Sequence, residues 1–305
     1  MSKSSRYRRM ERGKSLIASA LIILLLNIIA FMVVGALYML GIISIHNGNI
    51  VINKTENTTE ELMETFKMPT ENSVPIRAQA VVDYFITDDM TDYEKVKTIH
   101  DWIVNWTTYD YGEFYNRGSN KSAHTEHGVF VTGNAVCDGY AKAFSLLCSM
   151  VGIRSEVVVG EAGGLFEGGP HAWNTVEIDD KWYIVDVTWN DGWMERAGSD
   201  DIIYDYFLVT DSILEYTHTW DRAQYNTCYS DLYVLAGYDG RTAKTMFGIK
   251  RLIKKQYEEG NWTATVVYTG AGMPDIFSIR EDYSNCAIFT NEIGEFTRLT
   301  IQFND

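Results

Sequence analysis

Gly133–Gly152 reads GNAVCDGYAKAFSLLCSMVG, a glycine-bracketed helix with a cysteine on its first turn. Gly133 and Asn134 interrupt what precedes, Cys137 opens the helix, and Gly152 stands where a C-terminal glycine cap belongs. Positions 137, 141, 144, 148 and 151 hold Cys, Ala, Phe, Cys and Val, an alternation of four and three that makes one apolar helix face and sends it to the core. A helix N-terminus presents unpaired amide hydrogens and partial positive charge, which favour a thiolate and can hold an oxyanion. A cysteine there can equally be no more than a small buried hydrophobe. The rest of the chain has to supply its partners.

Downstream, Ser155–Val159 reads as a β-branched strand, and GEAGGLFEGGP, Gly160–Pro170, as a glycine-rich loop bordering a cleft. His171–Trp189, HAWNTVEIDDKWYIVDVTW, then reads as two strands about a turn at Asp179-Asp180. A turn centred there sets His171 opposite Thr188 and Trp173 opposite Asp186, so His171 and Asp186 are diagonal neighbours on one face, with backbones about 7–8 Å apart. A carboxylate holding the Nδ1 proton of an imidazole leaves its other nitrogen to work on a partner. The opposite face carries Ala172, Val176, Tyr183, Val185 and Val187, which is core. Asp186 therefore lies within an otherwise apolar strand, and a buried carboxylate demands a partner. Alone, Asp186 could cap a turn and His171 could be a surface histidine. With Cys137 they read as orienting acid, base and nucleophile.

Upstream, Ile76–Phe85 reads as a helix, and Thr91-Asp92-Tyr93-Glu94 is a capping box opening a second, whose apolar stripe is Val96, Ile99, His100, Ile103 and Trp106. His100 on that stripe reads as a satisfied core histidine. Residues 107–128 read as a long loop. His124 and His127 have the look of a ligand pair but no third ligand at metal spacing, so no metal and no cofactor is expected.

Charge is unevenly distributed: the net −15 comprises +5 over the first fourteen residues and −20 over the remainder. Leu16–Ile45 carries no charge and exceeds both the roughly 20 residues of a spanning helix and the roughly 7–15 of a signal-peptide core. The expectation is one membrane helix over 16–45 with a cytoplasmic basic tail, 1–15, the remainder lying outside the cell membrane. Compartment and acidity exclude nucleic acid as a partner. A polar stalk over 46–75, with a short helix at Glu60–Phe66, would lead to the main domain, 76–230, and an α+β extension, 231–305. In that extension Thr242–Glu259 reads as helix, and NWTATVVYT, NCAIFT and FTRLTIQF as strands. Cys137 and Cys148 stand too far apart along one helix to bridge. Cys228 could pair with Cys286, but a domain of this size needs no staple, which favours free thiols.

The blocks GNAVCDGYAKAF, GGPHAWNTV and YIVDVTWND, with DYFLVTDSILEYTHTWD behind them, resemble the transglutaminase-like superfamily of cysteine-triad proteins, related in architecture to papain. The resemblance spans about Thr91 to Asp231. It implies an α+β core in which the cysteine-bearing helix packs on an antiparallel sheet. It makes Cys137 the nucleophile, His171 the base and Asp186 the orienting acid, with Tyr109 as oxyanion candidate and Trp173 and Trp189 lining the cleft. The implied chemistry is an acyl-thioester formed on a protein or peptide amide and resolved by water or by an amine, with hydrolysis favoured. The alternative is a silent binding or scaffolding module of the same fold.

Overall fold

The computed structural model describes residues 43–46, 49–52, 59–163, 168–191 and 202–303. The chain divides into two compact units, Met1–Asn57 and Thr58–Asp305. In the first, Ile43–His46 (β1) pairs antiparallel with Asn49–Ile52 (β2). The membrane helix expected over 16–45 does not hold at Ile43–Ile45, which are strand, because β-branched residues on either side of an Asn-Gly dipeptide favour a hairpin. Its remainder and the basic tail lie outside the described residues. Among the described residues no helix is long and apolar enough to cross a membrane. The stalk expected over 46–75 likewise contains β2, a helix at Thr59–Thr65 (α1) and the start of the next helix at Val74.

The second unit continues with Val74–Phe85 (α2), Asp92–Trp106 (α3), Thr108–Tyr109 (β3), Tyr111–Tyr115 (α4), Asn134–Ala135 (β4) and Cys137–Met150 (α5). Ser155–Ala162 (β5), Gly169–Ile178 (β6), Lys181–Val185 (β7), Val187–Asn190 (α6), Phe207–Val209 (β8), Asp211–Leu214 (α7) and His218–Thr219 (β9) follow. The last part holds Thr242–Ala243 (β10), Met246–Glu258 (α8), Thr263–Tyr268 (β11), Ile276–Asp282 (α9), Cys286–Ile293 (β12) and Phe296–Phe303 (β13). An antiparallel five-stranded sheet runs β8-β7-β6-β5-β9, and a separate four-stranded sheet runs β10-β11-β13-β12. This is a mixed α+β architecture.

The capping box forms as its sequence dictates: the Thr91 hydroxyl accepts from Glu94 N–H at 3.2 Å and the Glu94 carboxylate accepts from Thr91 N–H at 2.7 Å. Residues 107–128 are not a plain loop. Asp110 caps α4, and Lys121–His124 forms a 3-10 turn. Helices α2, α3 and α5 pack Val81, Trp102, Phe144 and Leu147 with Val176, Tyr183 and Val185 from one face of the sheet. Val158, Trp173, Ile184 and Leu214 form a second core. Strand β6 is consequently buried along nearly its whole length.

The β6–β7 turn falls where expected, with Asp179 and Asp180 at φ 52° and 59°, the two left-handed residues of a tight hairpin turn. The register also follows, Ile178 opposite Lys181 and Asn174 opposite Val185. Pairing stops there. Asp186 is the N-cap of α6 and not a strand residue, so the expected pairs His171–Thr188 and Trp173–Asp186 do not form. His171 lies instead opposite Gly160, and Trp173 opposite Val158, on β5. An aspartate at the head of a short helix satisfies an amide that a strand would have paired.

In the C-terminal part Thr245 caps α8, which therefore starts later than the sequence suggested, and the Asp275-capped α9 was not anticipated. This part packs its own core of Ile249, Ile253, Val266, Ile279, Leu299 and Ile301. A buried ion pair ties it to the five-stranded domain: Arg298 Nε donates to both oxygens of Asp205 at 3.0 Å. Tyr238 Oη and Asn291 Nδ2 also donate to that carboxylate, each at 2.6 Å.

Candidate active site

Backbone pairing of β3 with β4 sets Tyr109 beside the start of α5, Thr108 N–H donating to Gly133 at 2.8 Å and Asp110 N–H to Ala135 at 2.9 Å. Cys137 is the first residue of α5, and no side chain caps that terminus. The amides of Cys137 and Asp138 lie ahead of the first turn's bonds, Gly139 and Tyr140 N–H donating to the Val136 carbonyl at 2.9 and 3.1 Å. Gly139 admits the loop carrying Ala123, whose carbonyl would overlap any Cβ there. Cys137 is partly exposed, while His171 and Asp186 are 8% and 0% exposed.

The structure brings these three together. His171 Nε2 lies 2.7 Å from Asp186 Oδ2, and Cys137 lies beside the same ring, close enough to raise its basicity. The imidazole is turned the other way from the expected arrangement: Nε2 faces the acid, which leaves Nδ1 for the sulfur. The other Asp186 oxygen, Oδ1, accepts from Trp189 N–H at 3.0 Å, so one carboxylate serves both the ring and the helix cap. Burial alone would lower the basicity of His171, but the charge and hydrogen bond of Asp186, followed by Cys137, outweigh it and raise the ring to about 10. Burial would raise Asp186, but His171 and then His218 hold it well below the ordinary carboxylate range. Burial, then the nearby Cys137, pushes the Tyr109 hydroxyl upward, so it stays a proton donor beside the sulfur.

Of the two tryptophans expected to line the cleft, Trp189 is partly buried and packs over His171, ring centroids 5.7 Å apart. Trp173 is 1% exposed and belongs to the second core, where the His218 and Trp220 rings pack edge-on against it. Sequence reasoning missed His218. Its Nε2 lies 3.1 Å from Asp186 Oδ2, the oxygen His171 uses. The available signal was a repeated pattern, His171-Ala172-Trp173 and His218-Thr219-Trp220. The donor atoms of His171, Asp186 and His218 lie within 4.8 Å of one another, a set of metal-ligand type. The two histidine–aspartate hydrogen bonds already account for that convergence.

The other histidines have different partners. His100 is fully buried between Asp101, at 2.8 Å, and Asn190, at 3.0 Å. His124 bridges Asp138 at 2.9 Å and Glu113 at 3.0 Å. All four cysteines are free thiols, and burial pushes Cys148, Cys228 and Cys286 upward.

Residues 79–187 match the model of the transglutaminase-like superfamily core. The human protein named kyphoscoliosis peptidase is 28% identical over 162 residues, 48% of this chain and 24% of its own length. The mouse protein of the same name is 28% identical over 153 residues, 47% of this chain and 23% of its own. The chain thus spans about a quarter of the length of these relatives. A solved structure described as a TGase is similar at 20% identity and a TM-score of 0.34, covering 49% of this chain and 36% of that one.

Proposed function

Taking a transglutaminase-like domain over residues 79–187 as the premise, we propose that the protein is a cysteine-triad enzyme acting on amide bonds through an acyl-thioester. The observation that carries this reading is the partly exposed Cys137 at a helix start beside an imidazole that is itself bound at 2.7 Å to a fully buried carboxylate. His171 takes the thiol proton and sulfur attacks the amide carbonyl carbon. The tetrahedral oxyanion is met by the Cys137 amide and the Tyr109 hydroxyl. The imidazolium then protonates the departing amine as the C–N bond breaks, leaving the thioester. Water, deprotonated by His171, cleaves the thioester to a carboxylic acid and restores the thiol. An amine in its place would form a new amide. The peptidase name of the human and mouse relatives favours the water branch.

The uncharged segment from Leu16 up to β1 still exceeds a membrane span, and its basic flank favours a cytoplasmic N-terminus with the enzyme domain outside. The test is mass spectrometry of the protein incubated with a protein mixture and a tagged primary amine. New peptide termini mean hydrolysis and tag incorporation means acyl transfer. Neither, together with no thiol-probe labelling at Cys137, would overturn the enzyme reading in favour of a silent scaffold.

A further inference from the structure

We propose that His218 is a positioning residue for this site, fixing the ionised Asp186 carboxylate in place so that His171 is held toward Cys137; this rests on the enzyme reading above. Asp186 Oδ2 receives two rings, Nε2 of His171 at 2.7 Å and Nε2 of His218 at 3.1 Å. A carboxylate oxygen accepts, so each neutral ring must carry its proton on Nε2 to bond it. For His218 that tautomer is supported from behind: Thr217 Oγ1 lies 2.8 Å from its Nδ1, nearer than the Leu214 carbonyl at 3.4 Å that competes for the one hydroxyl proton. Two hydrogen bonds thus converge on Asp186, one from His218 with Thr217 behind it and one from His171 with Cys137 beside its ring.

His218 is itself immobilised. It is 1% exposed, with ring centroids 4.5 Å from Trp189, 5.0 Å from Trp173 and 5.5 Å from Tyr206. The strand that carries it reaches the site through one pairing, Ala162 opposite His218 and Glu161 opposite Thr219. That approach needs Gly160, where a Cβ would overlap the Thr219 carbonyl and the Trp173 ring. The titratable groups facing Asp186 are His171 from β6, His218 from β9, His100 from α3, Tyr206 beside β8 and Tyr109 from β3. Burial and the neighbouring His171 lower the basicity of His218, against the pull of Asp186. His171, the ring beside Cys137, is thus the one whose basicity is raised, and His218 the one whose basicity is lowered.

The test is the pH–rate profile of Cys137 alkylation by iodoacetamide in the wild type, His218→Phe, His218→Gln and Thr217→Val, with peptide mapping of the labelled cysteine. Phenylalanine keeps a ring among the aromatics and removes the donor. Losing that hydrogen bond frees the Asp186 carboxylate to turn from His171 and weakens the imidazolium that holds the Cys137 thiolate, so the acid limb of the His218→Phe profile moves up by about one unit. Glutamine, which retains an N–H donor, restores at least half of that displacement, and Thr217→Val moves the limb in the same direction as phenylalanine. A purely structural role would lower the melting temperature of His218→Phe and leave its profile superimposed on that of the wild type, which overturns the proposal. Wild-type Cys137 that alkylates no faster than a free thiol overturns the enzyme reading and this proposal together. A fast wild type with an unmoved His218→Phe profile overturns this proposal alone.

Discussion

Asp186 divides its two oxygens between tasks, Oδ1 holding the Trp189 amide and Oδ2 holding two imidazoles. An asparagine has only one acceptor oxygen. Asp186→Asn keeps the cap and turns its NH2 toward the rings, forcing His171 to carry its proton on Nδ1, where it can no longer take one from sulfur. Turnover is expected to fall by on the order of 10^4 with the circular dichroism spectrum unchanged. Cys137→Ala is expected to abolish thiol-probe labelling and turnover, whereas Cys148→Ala retains both, since Cys148 is fully buried. The His171–Asp186 pair also links stability to pH. The raised His171 contributes fully below its ordinary 6.5 and loses its contribution as pH climbs through about 10. The lowered Asp186 contributes above its ordinary 3.8 and loses its contribution only in stronger acid. Thermal melts should therefore show a wild-type advantage over His171→Gln that is steady between about pH 5 and 6.5 and shrinks toward pH 10. Cys137 was legible at its helix start from the helix period, a local rule; His171 and Asp186 were set side by side by a strand pairing that does not form, and they meet because Asp186 caps α6 just past the end of β7. His218 was not legible, because its contact depends on β9 joining the sheet beside β5, a pairing between distant segments that no period encodes.

Among the elements, the β6–β7 hairpin was readable down to its register, since two aspartates between apolar runs specify the turn. Where β7 ends was not readable, because Asp186 suits both a strand end and a helix cap. Asp180 adopts φ 59°, a conformation that disfavours a side-chain-bearing residue by about 1 kcal/mol relative to glycine. Asp179 is anchored by Tyr233 at 2.9 Å, so the relief should be sought at 180. Asp180→Gly is expected to raise the melting temperature by about 2–4 °C without changing activity, as read by calorimetry. At the expected membrane helix two signals overlap: the apolar run extends through 16–45, while the Asn-Gly dipeptide just beyond it favours a hairpin whose first strand takes Ile43–Ile45.

Across the whole molecule, the C-terminal part has its own small core but shares a buried charge with the domain that holds the site. Its strands were legible from their alternation, and its attachment was not, since nothing near Asp205 in sequence announces Arg298 as its partner. Arg298→Met strands a carboxylate that is 1% exposed and is expected to cost about 3–5 kcal/mol in urea unfolding. Adding Asp205→Asn should recover part of that loss, because the uncompensated charge is gone. Cutting the chain after residue 230 removes Tyr238, Asn291 and Arg298 together and should leave an insoluble product. The next residue after Asp205 is Tyr206, whose ring rests on Trp189 and His218. A tug on the outer sheet through Arg298 would therefore arrive at the crevice one peptide link later, with no joint in between to absorb it.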